Sequence, residues 1–141
     1  MRRALALLPL ALMATTLPAA PRQPPPPILT PAEALRADFI ARAGTDMVFF
    51  GAGSSQLGAP ARAVLQAQAV WLLQHPGIPV RIEGHGEPAD TRDHALAMGA
   101  QRAEEVRNAL ILLGVPAAQV SAMSWGKERP GSPRAVTVLV L

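Results

Sequence analysis

The stretch Arg81-Ile-Glu-Gly-His-Gly-Glu-Pro88 constrains this chain more than any other. An apolar strand pattern from Ile78 to Glu83 ends there on Gly84 and Gly86, and the turn sets His85 and Glu87 in line with Glu83. A long helical pattern, Thr91 to Leu113, follows at once, with Asp90 or Thr91 placed to cap it. Along it Leu96, Gly99, Ala103, Val106, Leu110 and Leu113 recur at three- and four-residue steps, so this stripe is expected to face a sheet. Gly99 and Ala103 would permit close approach. Arg102 lies beside the stripe, and because helical side chains lean towards the N-terminus, its guanidinium is expected to point back at the loop carrying Glu87. Such a carboxylate and guanidinium either pair with each other or open to hold a ligand bearing both an ammonium and a carboxylate.

The remaining elements follow from the same kind of pattern. Thr30-Pro-Ala-Glu33 has an N-cap, a proline at the first helical position and a capping-box glutamate, opening a short helix to about Ala43. Asp46 to Phe50 is a brief apolar strand, and Gly51 to Gly58 a glycine-rich turn. A helix from Pro60 to His75 carries Ala61, Leu65, Ala69 and Leu72 on one stripe and stops at Pro76-Gly77. Val120 to Trp125 and Ala135 to Leu141 are strands flanking Gly126 to Pro133. The order is β-α-β-α-β-β after a leading helix. It predicts an α+β fold, with helices packed on one face of a mixed four-stranded sheet.

Ahead of these elements, Met1-Arg-Arg3, an apolar run from Ala4 to Leu17 and the small residues up to Ala20 have the layout of a signal peptide, residues 1–20. An uncleaved anchor is the alternative, and is the only membrane attachment the sequence suggests. Residues 21–29 form a proline-rich linker; Pro21 to Pro27 would make a stiff spacer of roughly 20 Å at about 3.1 Å per residue. The leading helix then spans 30–44 and the main domain 45–141. The formal charge of +3 comes from 13 basic and 10 acidic residues, and removing Arg2 and Arg3 leaves 11 against 10. Such a balance argues against a nucleic-acid partner.

Catalytic readings find little support. The chain has no cysteine, which excludes thiolate nucleophiles, disulfides and cysteine metal sites. His85-Gly-Glu87 imitates a deaminase His-x-Glu but has no Pro-Cys-x-x-Cys to go with it. Gly51-x-Gly53-x-x-Gln56 lacks the third glycine of a dinucleotide loop. Glu83, His85 and Glu87, with His94, are competent ligands for a divalent ion, yet their spacing matches no metal motif. No enzyme activity, cofactor or metal is therefore expected. Arg81 and Glu83 read as the wet face of a strand, His75 and His94 as surface residues at helix ends, and Trp71 and Trp125 as core or rim packing.

Several ordered segments together carry a resemblance. Val48-Phe-Phe50, Trp71-Leu-Leu-Gln-His-Pro76, Val80-Arg-Ile-Glu-Gly-His-Gly-Glu87, Met98-Gly-Ala-Gln-Arg-Ala-Glu-Glu-Val106, Val120 to Pro130 and Arg134-Ala-Val136 resemble the OmpA-like C-terminal domain, in its peptidoglycan-associated, Pal-type form. The likeness covers about residues 46 to 141. It implies a β-α-β-α-β-β module that binds the peptide stem of peptidoglycan without catalysis, in the periplasm at the cell wall or outer membrane of a Gram-negative bacterium. In the family an aspartate takes the ammonium of a diaminopimelate and a helix arginine takes its carboxylate. Here these positions fall on Glu87 and Arg102, with Arg134 keeping the family's arginine before the last strand. His85 completes the implied peptidoglycan-binding set, and is also expected to bond across the loop as a structural residue. Gly51 and Gly53 stand where the family has acidic residues, and Ala95 and Ser132 where it has asparagines. The alternative is the same fold without wall affinity, acting through contacts with other envelope proteins.

Overall fold

Thr30 opens the first helix as its pattern requires: in a computed structural model, which describes residues 19–141, its hydroxyl accepts from the Glu33 N–H and the Glu33 carboxylate accepts from the Thr30 N–H. Both ends of the capping box are thus made. The leader up to Leu17 lies outside the described residues, and residues 19–29 carry no helix or strand. Helix α1 runs Pro31–Ala43 and is followed by strand β1 (Met47–Phe49), helix α2 (Ala59–Gln74), strand β2 (Val80–His85), helix α3 (Arg92–Leu112), a short 3-10 turn, strand β3 (Val120–Gly126) and strand β4 (Arg134–Leu139).

The sheet order is β1-β4-β2-β3. Strands β2 and β3 run parallel, joined by α3 as the crossover, while β4 lies antiparallel between β1 and β2. This is the mixed four-stranded sheet the element order implies: the parallel pair β2–β3 has the long crossover it needs, while the short segment after β3 carries the chain past β2 to place β4 antiparallel to both β2 and β1. The helices lie on one face of it. Their shared core holds Leu65, Leu72 and Trp71 from α2, Val80 and Ile82 from β2, and Ala103, Val106 and Leu110 from α3. Helix α1 belongs to the same core through Phe39 and Ala43. Phe39 meets Trp71 edge to face, ring centroids 5.1 Å apart, and the Trp71 indole N–H donates to Asp38 Oδ2 at 2.7 Å.

The α2 stripe of Ala61, Leu65, Ala69 and Leu72 is buried as its spacing predicts. The α3 stripe is buried as expected at Gly99, Ala103, Val106 and Leu110 and departs from expectation at its two ends. Leu96 is 50% exposed and Leu113 lies largely outside the core, while Ala95 and Arg102 are buried in line with Gly99, Ala103, Val106 and Leu110. A pattern that favours large apolar residues passes over a small alanine and a charged arginine, and so takes in Leu96 and Leu113 in their place.

Strand β2 also runs further than its apolar pattern, through Gly84 to His85, with a shift of register against β3 at that point. The glycines are packing residues and not the strand's end. A Cβ at Gly84 would lie 1.8 Å from the Gly99 carbonyl oxygen, and one at Gly86 2.4 Å from that of Ala95. The two backbones touch directly there, which brings α3 against the end of β2 and sets Arg102 behind the loop that follows.

Candidate functional site

Arg102 projects from the third turn of α3 into the space between two loops, the 51–58 turn after β1 and the segment that follows β2. Its guanidinium donates from Nε to the Ser54 carbonyl (2.9 Å), from Nη1 to the His85 carbonyl (2.8 Å) and Glu87 Oε2 (3.2 Å), and from Nη2 to Glu87 Oε1 (2.6 Å) and, more weakly, the Gly51 carbonyl (3.4 Å). The guanidinium carbon also lies 5.5 Å from the centroid of Phe50. Glu87 Oε1 receives a further hydrogen bond from the Gly53 N–H (2.8 Å). Glycine at 53 holds a φ of +64°, which other residues adopt only with strain, although a Cβ there would meet nothing within 4 Å.

The expected pairing of Glu87 with Arg102 is therefore present, as a bidentate ion pair. Its exposure is lopsided: the Arg102 side chain is 0% exposed and that of Glu87 20%. An open clamp, with both charges free to meet a ligand, is not the state seen. The hydrogen bonds from Arg102, opposed by partial burial and aided by the Gly53 N–H, hold the Glu87 carboxyl down at about 2, against 4.5 ordinarily. Because the folded state binds this proton more weakly than the unfolded state, the resulting stabilisation is complete above about pH 4.5 and is lost as pH falls towards about 2. Thermal unfolding followed by circular dichroism is expected to show the melting temperature of the parent falling across that window more steeply than that of Glu87→Gln. Equal slopes would remove the ion pair from the account.

His85 and Arg134 occupy the opposite, helix-free face of the sheet. His85 is buried, its main-chain carbonyl accepts from Arg102, and its Nδ1 has no partner among the described residues. The expected bond across the loop is made by its carbonyl to Arg102 and by its ring to the main chain of Arg129, not through Nδ1. Burial, and then the positive charge of Arg134, lower its pKa. Arg134 stands opposite Phe49 in the β1–β4 ladder and donates to the Ser132 carbonyl (3.1 Å). The structure thus brings Glu87 and Arg102 into contact, with His85 joining them through its carbonyl, while Arg134 sits with the His85 ring on the far side.

Glu83 corrects the expectation of a wet strand face. It is buried, and its carboxylate accepts from Arg81 Nε (3.0 Å) and Nη2 (2.7 Å), from the Trp125 indole (2.8 Å) and from Arg129 Nη1 (3.2 Å). Burial by itself would raise its pKa, but the bonds from Arg81 and Trp125 outweigh it and the net shift is downward. Arg129 lies 3.6 Å above the Trp125 ring, so Trp125 packs at the rim under a guanidinium. No group of three or more metal-ligating side chains gathers among the described residues. His94 bonds to Asp90, and His75 stacks on Trp71.

The residues missed by pattern reading are those that act through their backbone. Gly51, Gly53 and Ser54 bind the ion pair through two carbonyls and an N–H. Their one sequence signal is the glycine-rich composition of the turn, which marks a close backbone approach without saying to what. A surface groove of about 520 Å³ opens beside this turn, between Gln56, Leu57, Arg62, Glu105, Asn108 and Leu112, and neither Glu87 nor Arg102 lines it.

Comparison with known proteins gives a consistent picture. A profile of the OmpA family matches residues 49–138. The peptidoglycan-associated lipoprotein of Agrobacterium fabrum is 41% identical over 93 residues, 66% of this chain and 52% of that protein. That of Legionella pneumophila is 35% identical over 86 residues, 61% of this chain and 49% of that protein. The chain therefore spans about half the length of such relatives. Among solved structures, the peptidoglycan-associated lipoprotein from Burkholderia pseudomallei superposes with a TM-score of 0.66 at 36% identity, covering 69% of this chain and 92% of that one. The C-terminal domain of Helicobacter pylori MotB, at 19% identity and a TM-score of 0.59 over 66% of this chain and 81% of that one, shares the fold.

Proposed function

The chain belongs to the OmpA family, and from that membership we propose that it binds the peptide stem of peptidoglycan without catalysing any reaction, as an envelope tether. The observation that carries the reading is the Glu87–Arg102 pair at the end of β2. Its carboxylate is held ionised at every physiological pH and is partly open to solvent, as an ammonium-binding group must be. The names of the relatives, peptidoglycan-associated lipoproteins of Gram-negative bacteria, point the same way. In this reading Glu87 meets the ammonium of the stem's diamino acid, with Arg102 at its back. Arg134 and the His85 ring join the set from the opposite, helix-free face at the same end of the sheet, and the protein faces the cell wall from the periplasm. The leader, residues 1–20, directs export, and the linker, 21–29, holds the domain 45–141 and its leading helix away from the point of attachment.

A second reading keeps the fold and drops the wall affinity, making the domain a contact module for other envelope proteins. One observation favours it, the complete burial of Arg102 on partners within the protein. Sedimentation with purified peptidoglycan sacculi separates the two. The parent protein is expected to pellet with the wall, and Glu87→Ala to lose about tenfold in affinity, as for removal of a charged partner in a hydrogen-bonded site. Retention of the parent at the level of an unrelated periplasmic protein would overturn the tether.

A further inference from the structure

Strand β3 is the outer strand of the sheet on its β2 side, and half of its backbone faces away from β2. Which half follows from the ladders. Thr137 turns its N–H to Asp46 beside β1, so Val136 and Val138 turn theirs to β2; alternation then makes Val80, Ile82 and Gly84 the residues that bond to β3, through Ser121 and Met123. Val120, Ala122 and Ser124 point outwards. Val120 has partners of its own, its N–H donating to the Ala117 carbonyl and its carbonyl accepting from Arg107 Nε at 2.9 Å. Ala122 and Ser124 have none among the described residues, which leaves two N–H and two C=O groups along an open edge.

Open edges are ordinarily blunted by a charge, a proline or a bulge, because they recruit other extended chains. Between Val120 and Gly126 there is no charged residue and no proline, and the bulge lies at the end, where Trp125 has no partner in β2. The flanks offer side-chain contacts. Ser124 turns its hydroxyl to the Leu96 carbonyl of α3, so Met123 and Trp125 lie on the helix-free side. On the α3 side Leu96 is half exposed, and a pocket of about 100 Å³ opens between Leu96, Ser124, Trp125 and Gly126. Positive charge is in surplus here. Arg81 and Arg129 share the carboxylate of Glu83, and Lys127, at the rim of the pocket, is in ion-pair contact with no carboxylate among the described residues. Arg92, also at the rim, is balanced by Glu128.

We infer that the free edge of β3 receives an added strand from an extended, acidic segment of another protein. Main-chain hydrogen bonds to Ala122 and Ser124 hold such a segment, and its alternate side chains meet Leu96 and the pocket on one face and Met123 and Trp125 on the other. Its carboxylates answer Lys127 and the two arginines at Glu83. The same surplus disfavours a second copy of this chain, since two β3 edges pairing with each other bring like charges together. Neither Glu87 nor Arg102 lines this pocket, so strand addition does not depend on wall binding.

Amide hydrogen exchange followed by NMR, with a synthetic peptide of alternating valine and threonine flanked by aspartates, tests this. In the free protein the Ser121 and Met123 amides are expected to be protected, and those of Ala122 and Ser124 to exchange at least about tenfold faster. The peptide is expected to slow Ala122 and Ser124 by at least about tenfold, and its counterpart with lysines for aspartates to bind at least about tenfold more weakly. The acidic peptide with its backbone N–H groups methylated is expected to give no protection. Ala122→Pro removes one outward donor and no bond to β2, and Leu96→Glu sets a like charge in the pocket. Each, folded by circular dichroism, is expected to bind the acidic peptide at least about fivefold more weakly; if one fails to fold, the other decides. Protection of Ala122 and Ser124 that is present without peptide and grows with protein concentration would assign the edge to a second copy and overturn the inference. Equal protection by the acidic and basic peptides, or an acidic peptide that leaves both amides unprotected, would overturn it as well.

Discussion

Replacing Gly84 by alanine is expected to destabilise the domain by about 3 kcal/mol or more, among the largest effects of any single methyl group in this chain. The new Cβ would stand 1.8 Å from the carbonyl oxygen of Gly99, 2.7 Å from its carbon and 3.0 Å from the Ala103 nitrogen. These are helix backbone atoms, which have no rotamer to move into. Relief requires α3 to lift from β2, and that separates Ile82 from Ala103 and Val106, which lie in one fully buried cluster. The cost is therefore a displaced layer of core and not a local clash. Gly77→Ala is the matched control, since a Cβ there meets nothing within 4 Å, and its effect is expected to stay within about 0.5 kcal/mol. Urea denaturation of the three proteins checks the pair. A Gly84→Ala midpoint equal to that of Gly77→Ala would show that α3 and β2 are not held in direct backbone contact.

Arg102→Met is expected to cost about 3–5 kcal/mol, the range for removing one member of a buried ion pair. Methionine fills much of the same volume, so packing is largely kept and the loss is chiefly electrostatic. The Gly51, Ser54 and His85 carbonyls lose a donor, and the Glu87 carboxylate keeps only backbone donors, the Gly53 N–H among them. Arg102→Lys is expected to recover only part of this, because an ammonium has three donors on one point and cannot span the two loops as the planar fork does. A double-mutant cycle with Glu87→Gln measures the share that belongs to the pair, and a coupling energy of about 1.5 kcal/mol or more is expected. The acid dependence attributed to Glu87 is expected to shrink in Arg102→Met, since the main cause of its lowered pKa has been removed. A double-mutant cycle with no coupling would mean that Arg102 acts through the three carbonyls alone.

Both effects arise where one residue touches several distant segments, and such places are the hardest to see in a sequence. Thr30 and Glu33 were legible because a capping box is complete within four consecutive residues. The α2 stripe was legible because its four apolar residues and its period agree. Glu83 was not, because its partners Arg81, Trp125 and Arg129 come from three places in the chain, and alternation along one strand cannot tell a solvated carboxylate from a covered one. Leu96 and Leu113 were misassigned to the buried face because hydrophobicity stood in for position, while the helix buries Ala95 and Arg102. The Glu87–Arg102 pair was found through its spacing and the family it resembles, but the sequence left a closed pair and an open clamp equally possible.

By itself the sequence determined the elements, their order, the family and the two charged residues that meet, because capping, periodicity and turn chemistry are local and act within a few residues. Only the tertiary structure decided that Gly84 and Gly99 are one contact, that Glu83 is buried, and that Arg102 spends its donors on the protein. Each of these depends on distances between segments set by the packing of α3 against β2 and β3, and burial and hydrogen-bond saturation are properties of all the neighbours together. A sequence can say which two groups meet; whether either has a bond left to offer is decided by what else surrounds them.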